Sequence, residues 1–245
     1  MKSGHLLFFD LDGTVLINGK LPEEHRRALV EAKKNGNYLV INSGRSKAYI
    51  PQNVLSDIPW DGMICGSVYV CWQEEVLLNQ TLSRGTLAQV IGFVSQNGLR
   101  LVMEGVEKNY SFGIPGFQIP VDGDVEGFLG SDPKVSKVTF LDKLDPAKTP
   151  KFDGLRTIFF ATYAEGIAEG YTKRTGMELI LLKTGIDRSL TCAFGDSEND
   201  AEMLRFSAQT AVMKNAPFMY DAFVTLRCES EFGVAEALQK FGFIQ

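Results

Sequence analysis

The sequence predicts an α/β fold: a parallel-sheet core with helices on both faces, interrupted by a smaller inserted α+β segment. Three observations predict it. Apolar strand-like runs alternate with helical stretches near both ends of the chain. The alternation breaks in the middle and then returns. Three of the apolar runs end in polar clusters, "DLDGT", "NSGR" and "GDSEND", at the carboxyl ends of strands where such sheets place their ligands. The expected division is residues 1–81 and 168–245 for the core and 82–167 for the insertion.

The elements follow in order. "LLFF", Leu6 to Phe9, reads as a strand buried on both faces. "LPEEHRRALVEAKKNG" is a helix begun by Pro22 and two glutamates and stopped by Gly36. "YLVINSGR" is a second strand, and "GMICGSVYVCW" and "EEVLLNQ" read as two strands joined by a turn. "RGTLAQVIGFVSQNG" predicts a helix and "LRLVMEG" a strand. From Lys108 to Asp153 the text is rich in Gly, Pro and Asp, with short apolar pieces such as "KVTFL". Within it "YSFGIPGFQIP", Tyr110 to Pro120, reads either as an exposed loop or as a hairpin filling its own core. "RTIFFATYA" reads as one strand. "YTKRTGMELILLKTGI" is helical, "LTCAFGD" is a strand ending in an aspartate, and "SENDAEMLRFS" is a helix with Ser197 as N-cap. "TAVM" is a short strand, and "APFMYDAF" and "GVAEALQKFG" are helices.

Composition narrows the function. The chain has 245 residues, 44% hydrophobic and 22% charged, with a net charge of −5. That balance disfavours nucleic acid and anionic membranes as partners. No apolar run approaches the roughly 20 residues of a membrane helix, and the N-terminus does not read as a signal peptide. Cys65, Cys71, Cys192 and Cys228 form no C-x-x-C pair. Reduced thiols and a cytoplasmic location are expected. No obligate protein partner is inferred.

The polar clusters carry the chemistry. In an extended chain, residues i and i+2 point to one side, so Asp10 and Asp12 are expected to crowd one space and repel. A cation would settle them. Asp196, at the end of another strand, adds a carboxylate, with Asn199 and Asp200 one turn on. An all-oxygen donor set suits a hard cation, and Mg²⁺ usually takes one or two carboxylates plus substrate phosphate. Neither cluster has calcium-loop spacing. Ser43 offers a hydroxyl, and Ser43 and Gly44 offer N–H groups of the kind that hold phosphate. Lys173 opens a helix in the returning half, where its charge could face the three loops. A carboxylate attacking a phosphate meets repulsion of roughly 4 kcal/mol at about 4 Å. Mg²⁺ and a lysine would offset that. Asp10 then reads as nucleophile and metal ligand, and Asp12 as the acid/base that protonates the leaving oxygen and activates water. His25 sits in a charged helix and is expected in solvent. His5 precedes the first strand, and neither is expected to be catalytic.

At these residues the sequence resembles the haloacid dehalogenase (HAD) superfamily of phosphohydrolases. "FFDLDGT" resembles its first motif, "SGR" its second, Lys173 its third and "FGDSENDAEML" its fourth. "AVMKNAP" and "FGVAEAL" are similar to the Cof-like branch with a type IIB cap. The resemblance implies a Rossmann-like core, a cap that sets substrate choice, and Mg²⁺-dependent hydrolysis of small phosphate esters through an aspartyl phosphate. It implies Mg²⁺ held by Asp10, by the Asp12 carbonyl and by Asp196, with Ser197 beside them. Leu11 N–H, Ser43, Gly44, Lys173 and Asn199 would contact phosphate. Arg45 would steady the second loop, and Asp200 would orient Lys173 or a metal-bound water. Sugar phosphates and phosphorylated cofactors are the implied substrates. Two other readings remain open at this level: a phosphomutase, and a receiver-type phospho-acceptor domain that is not an enzyme.

Overall fold

A computed structural model describes residues 4–245 of the chain. These divide into two compact units. One holds the described residues up to Gly44, Ile50–Leu77 and Thr172–Gln245; the other holds Arg45–Tyr49 and Leu78–Tyr171.

The first unit opens with β1 (Leu6–Phe9), whose four side chains are all excluded from solvent. Helix α1 (Glu23–Lys34) starts after Pro22, with Glu23 and Glu24 in its first turn and Lys33 and Lys34 in its last. These charges oppose the helix dipole at each end. Its buried residues are His25, Ala28, Leu29 and Ala32, one stripe at i, i+3, i+4 and i+7. His25 is therefore a core residue and not the solvated one expected. Its Nδ1 lies 2.9 Å from the Val15 carbonyl oxygen. The stripe outweighs the charged neighbours, because a helix buries by face and not by average composition. Strand β2 (Tyr38–Ser43) follows, then a short helix α2 (Gln52–Asp57) that nothing in the sequence had marked.

Next come β3 (Gly62–Cys65), β4 (Tyr69–Trp72) and β5 (Glu75–Asn79). The run "GMICGSVYVCW" is thus a hairpin and not a single strand. Gly66 and Ser67 turn it with φ of +57° and +64°, and Val68 N–H donates to the Cys65 carbonyl at 3.2 Å. Cys65 pairs with Tyr69, so three residues join the strands, two of them at the positive φ a tight hairpin turn needs. The unbroken apolar text on either side hid it.

The second unit is built from α3 (Arg84–Gln96), β6 (Leu101–Gly105), β7 (Asn109–Phe112), β8 (Ile119–Pro120), α4 (Val125–Gly130), β9 (Val135–Phe140), β10 (Leu155–Phe159) and β11 (Ala164–Ala168). Its sheet runs β10-β11-β9-β6-β7-β8, antiparallel except for β7 with β8. Ser83 caps α3 by accepting from Thr86 N–H at 3.0 Å. Leu101, Met103, Val138 and Phe140 are fully buried and alternate along their strands, as one sheet face does. "RTIFFATYA" is a second hidden hairpin, with Phe159 paired to Ala164 and Phe160 N–H donating to the Tyr163 carbonyl. No Gly or Pro marks that turn in the text. In "YSFGIPGFQIP", Tyr110 packs on Phe128 with ring centroids 4.9 Å apart, while Phe117 and Ile119 are exposed. The stretch is not a hairpin, because β7 and β8 pair in parallel, and its side chains divide between core and surface.

The first unit then resumes with α5 (Lys173–Thr184), β12 (Thr191–Gly195), α6 (Ala201–Phe206), β13 (Gln209–Val212), β14 (Leu226–Arg227) and α7 (Gly233–Lys240). "SENDAEMLRFS" is a single 3₁₀ turn over Glu198–Asp200 running into α6. "APFMYDAF" forms a 3₁₀ turn over Phe218–Ala222 where an α-helix was expected. Gly185 ends α5 in the left-handed conformation, φ +67°. The sheet order is β14-β13-β12-β1-β2-β3-β4-β5, with β13, β12, β1, β2 and β3 parallel in sequence. Strand β1 sits between β2, which follows it, and β12, which comes some 180 residues later. The chain reverses its winding there, and the crevice at such a point is where doubly wound sheets bind ligands.

Candidate functional site

The register of the parallel strands decides what meets at that crevice. Phe9 pairs with Phe194 and with Ile41, so β1, β12 and β2 finish within two residues of one another. At or just past their ends are Asp10, Asp196 and Ser43–Gly44.

Asp10 is 4% exposed, and its backbone N–H still donates to the Phe194 carbonyl at 3.0 Å. Beyond it the chain leaves the extended state. The Leu11 carbonyl accepts from Thr14 N–H and Leu16 N–H at 3.3 and 2.7 Å, and Leu11 itself is fully buried. Asp12 is exposed, and its charge acts on Asp196, whereas the carboxylates acting on Asp10 are Asp200 and Asp196. The i, i+2 rule holds only for extended chain, and β1 stops at Phe9. The crowding that the structure shows is between strands, Asp10 with Asp196 and Asp200.

One ligand oxygen each from Asp10, Asp196 and Asp200 lies within 4.8 Å of the other two. Lys173, 4% exposed at the first position of α5, places its ammonium among them. Its Nζ donates to Asp10 Oδ1 at 2.6 Å and to Asp200 Oδ1 at 2.5 Å. Burial alone would lower the Lys173 pKa, but the charges of Asp10 and Asp200 hold it above its ordinary value. Burial pushes Asp10 up to about 8; Lys173 opposes the shift, and the charges of Asp200 and Asp196 add to it. Asp196 rises to about 6, through burial and then the Asp200 charge, offset in part by its bond from Thr14. Three carboxylates facing one ammonium are short of positive charge.

Asp200 has no oxygen to spare. One goes to Lys173, and the other accepts from the N–H groups of Asp196 and Ser197, both at 3.0 Å. It buttresses the loop and the lysine, which leaves Asp10 and Asp196 as the pair able to face a cation. Their hard oxygen donors fit a divalent ion such as Mg²⁺ or Mn²⁺. Gly13 lets the two loops approach. It has φ +80°, and a Cβ there would lie 2.2 Å from Asp196 Oδ2. Thr14, buried beside it, donates to Asp196 Oδ1 at 3.3 Å.

The remaining residues fall around this centre. Ser43 is buried at the end of β2, and its carbonyl accepts from Gly66 N–H at 2.9 Å. A Cβ at Gly44 would lie 3.6 Å from Asn199 Nδ2, so the second and fourth clusters are neighbours. Asn199 Oδ1 accepts from the Ser197 hydroxyl at 2.7 Å. Arg45 groups with the second unit, where its guanidinium donates to the Tyr49 carbonyl at 2.8 Å.

Sequence reading passed over three residues. Thr14 stood inside a quoted cluster, and its hydroxyl beside two acids was the available signal. Asn42 is fully buried and donates from Nδ2 to the Lys173 carbonyl at 3.2 Å, tying β2 to the start of α5. Tyr220 donates its phenolic hydrogen to the Ser197 carbonyl at 2.7 Å. Asn42 also stood inside a quoted cluster, but nothing local names the partners of the last two, which lie 131 and 23 residues away.

The chain resembles known proteins in sequence and in fold. The haloacid dehalogenase-like hydrolase family matches residues 7–149 and 156–238. A Bacillus subtilis (strain 168) protein, "Putative phosphatase YkrA", is 22% identical over 258 residues, covering 98% of each chain. Among solved structures, a hypothetical protein from Geobacillus kaustophilus HTA426 has a TM-score of 0.84 and 23% identity, covering 99% of this chain and all of that one. The HAD subclass IIB sugar phosphatase BT4131 has a TM-score of 0.79 and 24% identity, covering 98% and 100%. At these identities the structural likenesses are likenesses of fold. The family match spans most of the chain and takes in Asp10, Lys173 and Asp196, and on that ground this protein belongs to the haloacid dehalogenase-like hydrolases.

Proposed function

We propose that this hydrolase cleaves phosphomonoesters of small metabolites in a Mg²⁺-dependent reaction, with Asp10 as nucleophile. The observation that carries the reading is the Asp10 carboxylate itself. It is buried at a strand end, held by Lys173 Nζ at 2.6 Å, and has the Asp196 oxygen within 4.8 Å. A structural carboxylate gains nothing from such a place. A nucleophile does, because its orientation is fixed before the substrate arrives.

Asp10 and Asp196, with the Asp12 carbonyl and with Ser197 beside them, would hold the cation. Bound there, it would supply positive charge against the phosphate oxygens. The residues do the rest. Lys173 holds the Asp10 carboxylate in line and offsets charge on the phosphoryl group. Leu11 N–H, Ser43, Gly44 and Asn199 ring the space past the strand ends and would bind the phosphate oxygens, with Arg45 steadying the second loop. Asp10 attacks phosphorus and the ester oxygen leaves, taking a proton from Asp12. Asp12 then removes a proton from water, which attacks the aspartyl phosphate, releases inorganic phosphate and regenerates Asp10. Exposure suits Asp12 to this exchange, since an acid/base must trade protons with water.

Residues 82–167 we assign to substrate choice, as an α+β cap. Sugar phosphates and phosphorylated cofactors are the substrate class, and the fold likeness to a sugar phosphatase supports it. The four cysteines are buried and in no disulfide, which suits a reducing compartment such as the cytoplasm. A screen for released inorganic phosphate across a metabolite panel, with and without Mg²⁺, tests the reading. Mg²⁺-dependent release is expected from at least one sugar phosphate or cofactor. A stable acyl phosphate without turnover, or an isomerised ester without free phosphate, would overturn it.

A further inference from the structure

The loop that carries Asp196, Ser197 and Asn199 is held from outside the four motifs. Ser197 is the centre of that support. Its carbonyl accepts from Asp200 N–H at 3.0 Å and from the Tyr220 hydroxyl at 2.7 Å. Tyr220 is fully buried although it lies in a five-residue 3₁₀ turn whose Phe218 and Met219 are among the most exposed apolar side chains. A turn that leaves Phe218 83% exposed while hiding a phenol is organised around the phenol. Burial and the charges of Asp200 and Glu198 push the Tyr220 hydroxyl up to about 12, so it stays a donor at any working pH.

The turn is itself anchored. The Arg227 guanidinium, on the edge strand β14, donates to the carbonyls of Met213, Lys214, Ala216 and Pro217 at 3.4, 3.3, 2.9 and 3.1 Å. It also pairs with Asp221 at 2.6 Å and lies 5.3 Å from the Phe218 ring centroid. One planar cation thus gathers the chain from the end of β13 into the turn that bears Tyr220. The contacts run in series, from Arg227 to the 213–221 segment, from Tyr220 to Ser197, and from the Ser197–Asp200 turn to Asp196.

We infer that Tyr220 and Arg227 are positioning residues that fix the cation-facing loop, so that removing the Tyr220 hydroxyl weakens divalent-ion binding without removing any ligand. This rests on the cation reading of the site proposed above. The hydroxyl keeps the Ser197–Glu198 peptide from rotating, one residue beyond Asp196. Without it the loop must be ordered when the ion binds, and affinity falls by that cost.

Mn²⁺ binding to EDTA-stripped protein, followed by electron paramagnetic resonance, is the direct test. Tyr220→Phe keeps the ring and the fold. It is expected to weaken Mn²⁺ binding about fivefold, in the range of one hydrogen bond, while KM for the phosphate ester at saturating metal stays unchanged. Amide exchange at Ser197 and Asp200 should quicken in the metal-free variant, a readout that needs no ion. Arg227→Lys should weaken Mn²⁺ binding in the same direction, and the double variant should fall short of the product of the two losses, as residues in series do. Asp196→Asn separates the two readings. If it binds Mn²⁺ as tightly as the native protein, the cation site itself is misplaced. If it loses Mn²⁺ while Tyr220→Phe binds and exchanges like the native protein, the support inferred here is wrong and the site stands. Fully multiplicative effects of the two variants would break the serial link to Arg227.

Discussion

Asp10 shows how much one residue's role depends on its surroundings. As a strand-end aspartate before Asp-Gly it reads as a turn former. In the structure it is buried against Lys173, with two further carboxylates beside it. Asp10→Asn is nearly isosteric and keeps an acceptor for Lys173. We expect the fold to survive, by circular dichroism and thermal unfolding, while phosphate release falls about 10⁴-fold or more. Turnover near the native level would remove Asp10 from the nucleophile role. A second prediction follows from proton binding. Asp10 and Asp196 are raised to about 8 and about 6 from an ordinary 3.8. Folded, metal-free protein therefore holds protons that the unfolded chain releases. Its stability should fall as pH rises from about 4 towards 8, and level off above. A cation must displace the same protons, so its affinity should rise with pH between about 6 and 8. Calorimetric Mn²⁺ titrations across that window check this, and a pH-independent affinity would contradict it.

Elements place these residues by close approach. Helix α5 carries Lys173 at its first position, and the depth to which it packs sets where the ammonium sits. Gly176, one turn on, makes that depth possible. A Cβ there would lie 2.5 Å from Ile64 Cγ2 on β3. Gly176→Val should push α5 outward, cost about 1–3 kcal/mol of stability by overpacking, and lower kcat more than it raises KM. Urea denaturation and steady-state kinetics test both parts, and a variant with native stability and native kcat would show that α5 does not set the lysine's depth. Element scale is also where sequence reading failed most visibly. "GMICGSVYVCW" and "RTIFFATYA" each hold a hairpin that went unread, because a turn of two or three residues within apolar text leaves little compositional trace. The 3₁₀ turn over Phe218–Ala222 had helical composition, but its five residues are too few to make an α-helix stable on its own. His25 went astray for the opposite reason, since its helix is charged overall and apolar on only one stripe.

At the scale of the whole molecule, each unit has its own sheet and its own core, and the acid cluster belongs wholly to the first. A ligand that binds only the folded first unit should stabilise that unit selectively. With Mg²⁺ at about 100 times its dissociation constant the gain is about 2.7 kcal/mol. Hydrogen exchange should show protection growing across β1, β2, β12 and α5 and unchanged across β6, β9 and α3. Equal protection in both units would count against a cation held by the first unit alone. By itself the sequence determined the α/β alternation, the inserted middle and the polar clusters at the ends of three strands. Those are local facts, written in hydrophobic period and in the residues that stop a strand. Only the tertiary structure decided which acids meet. Asp10 gathers with Asp196 and Asp200, because strand register brings together residues some 190 positions apart. It alone disclosed Asn42 and Tyr220 as well, since a buried side chain reaching a distant carbonyl is a long-range contact that leaves no periodic or compositional mark.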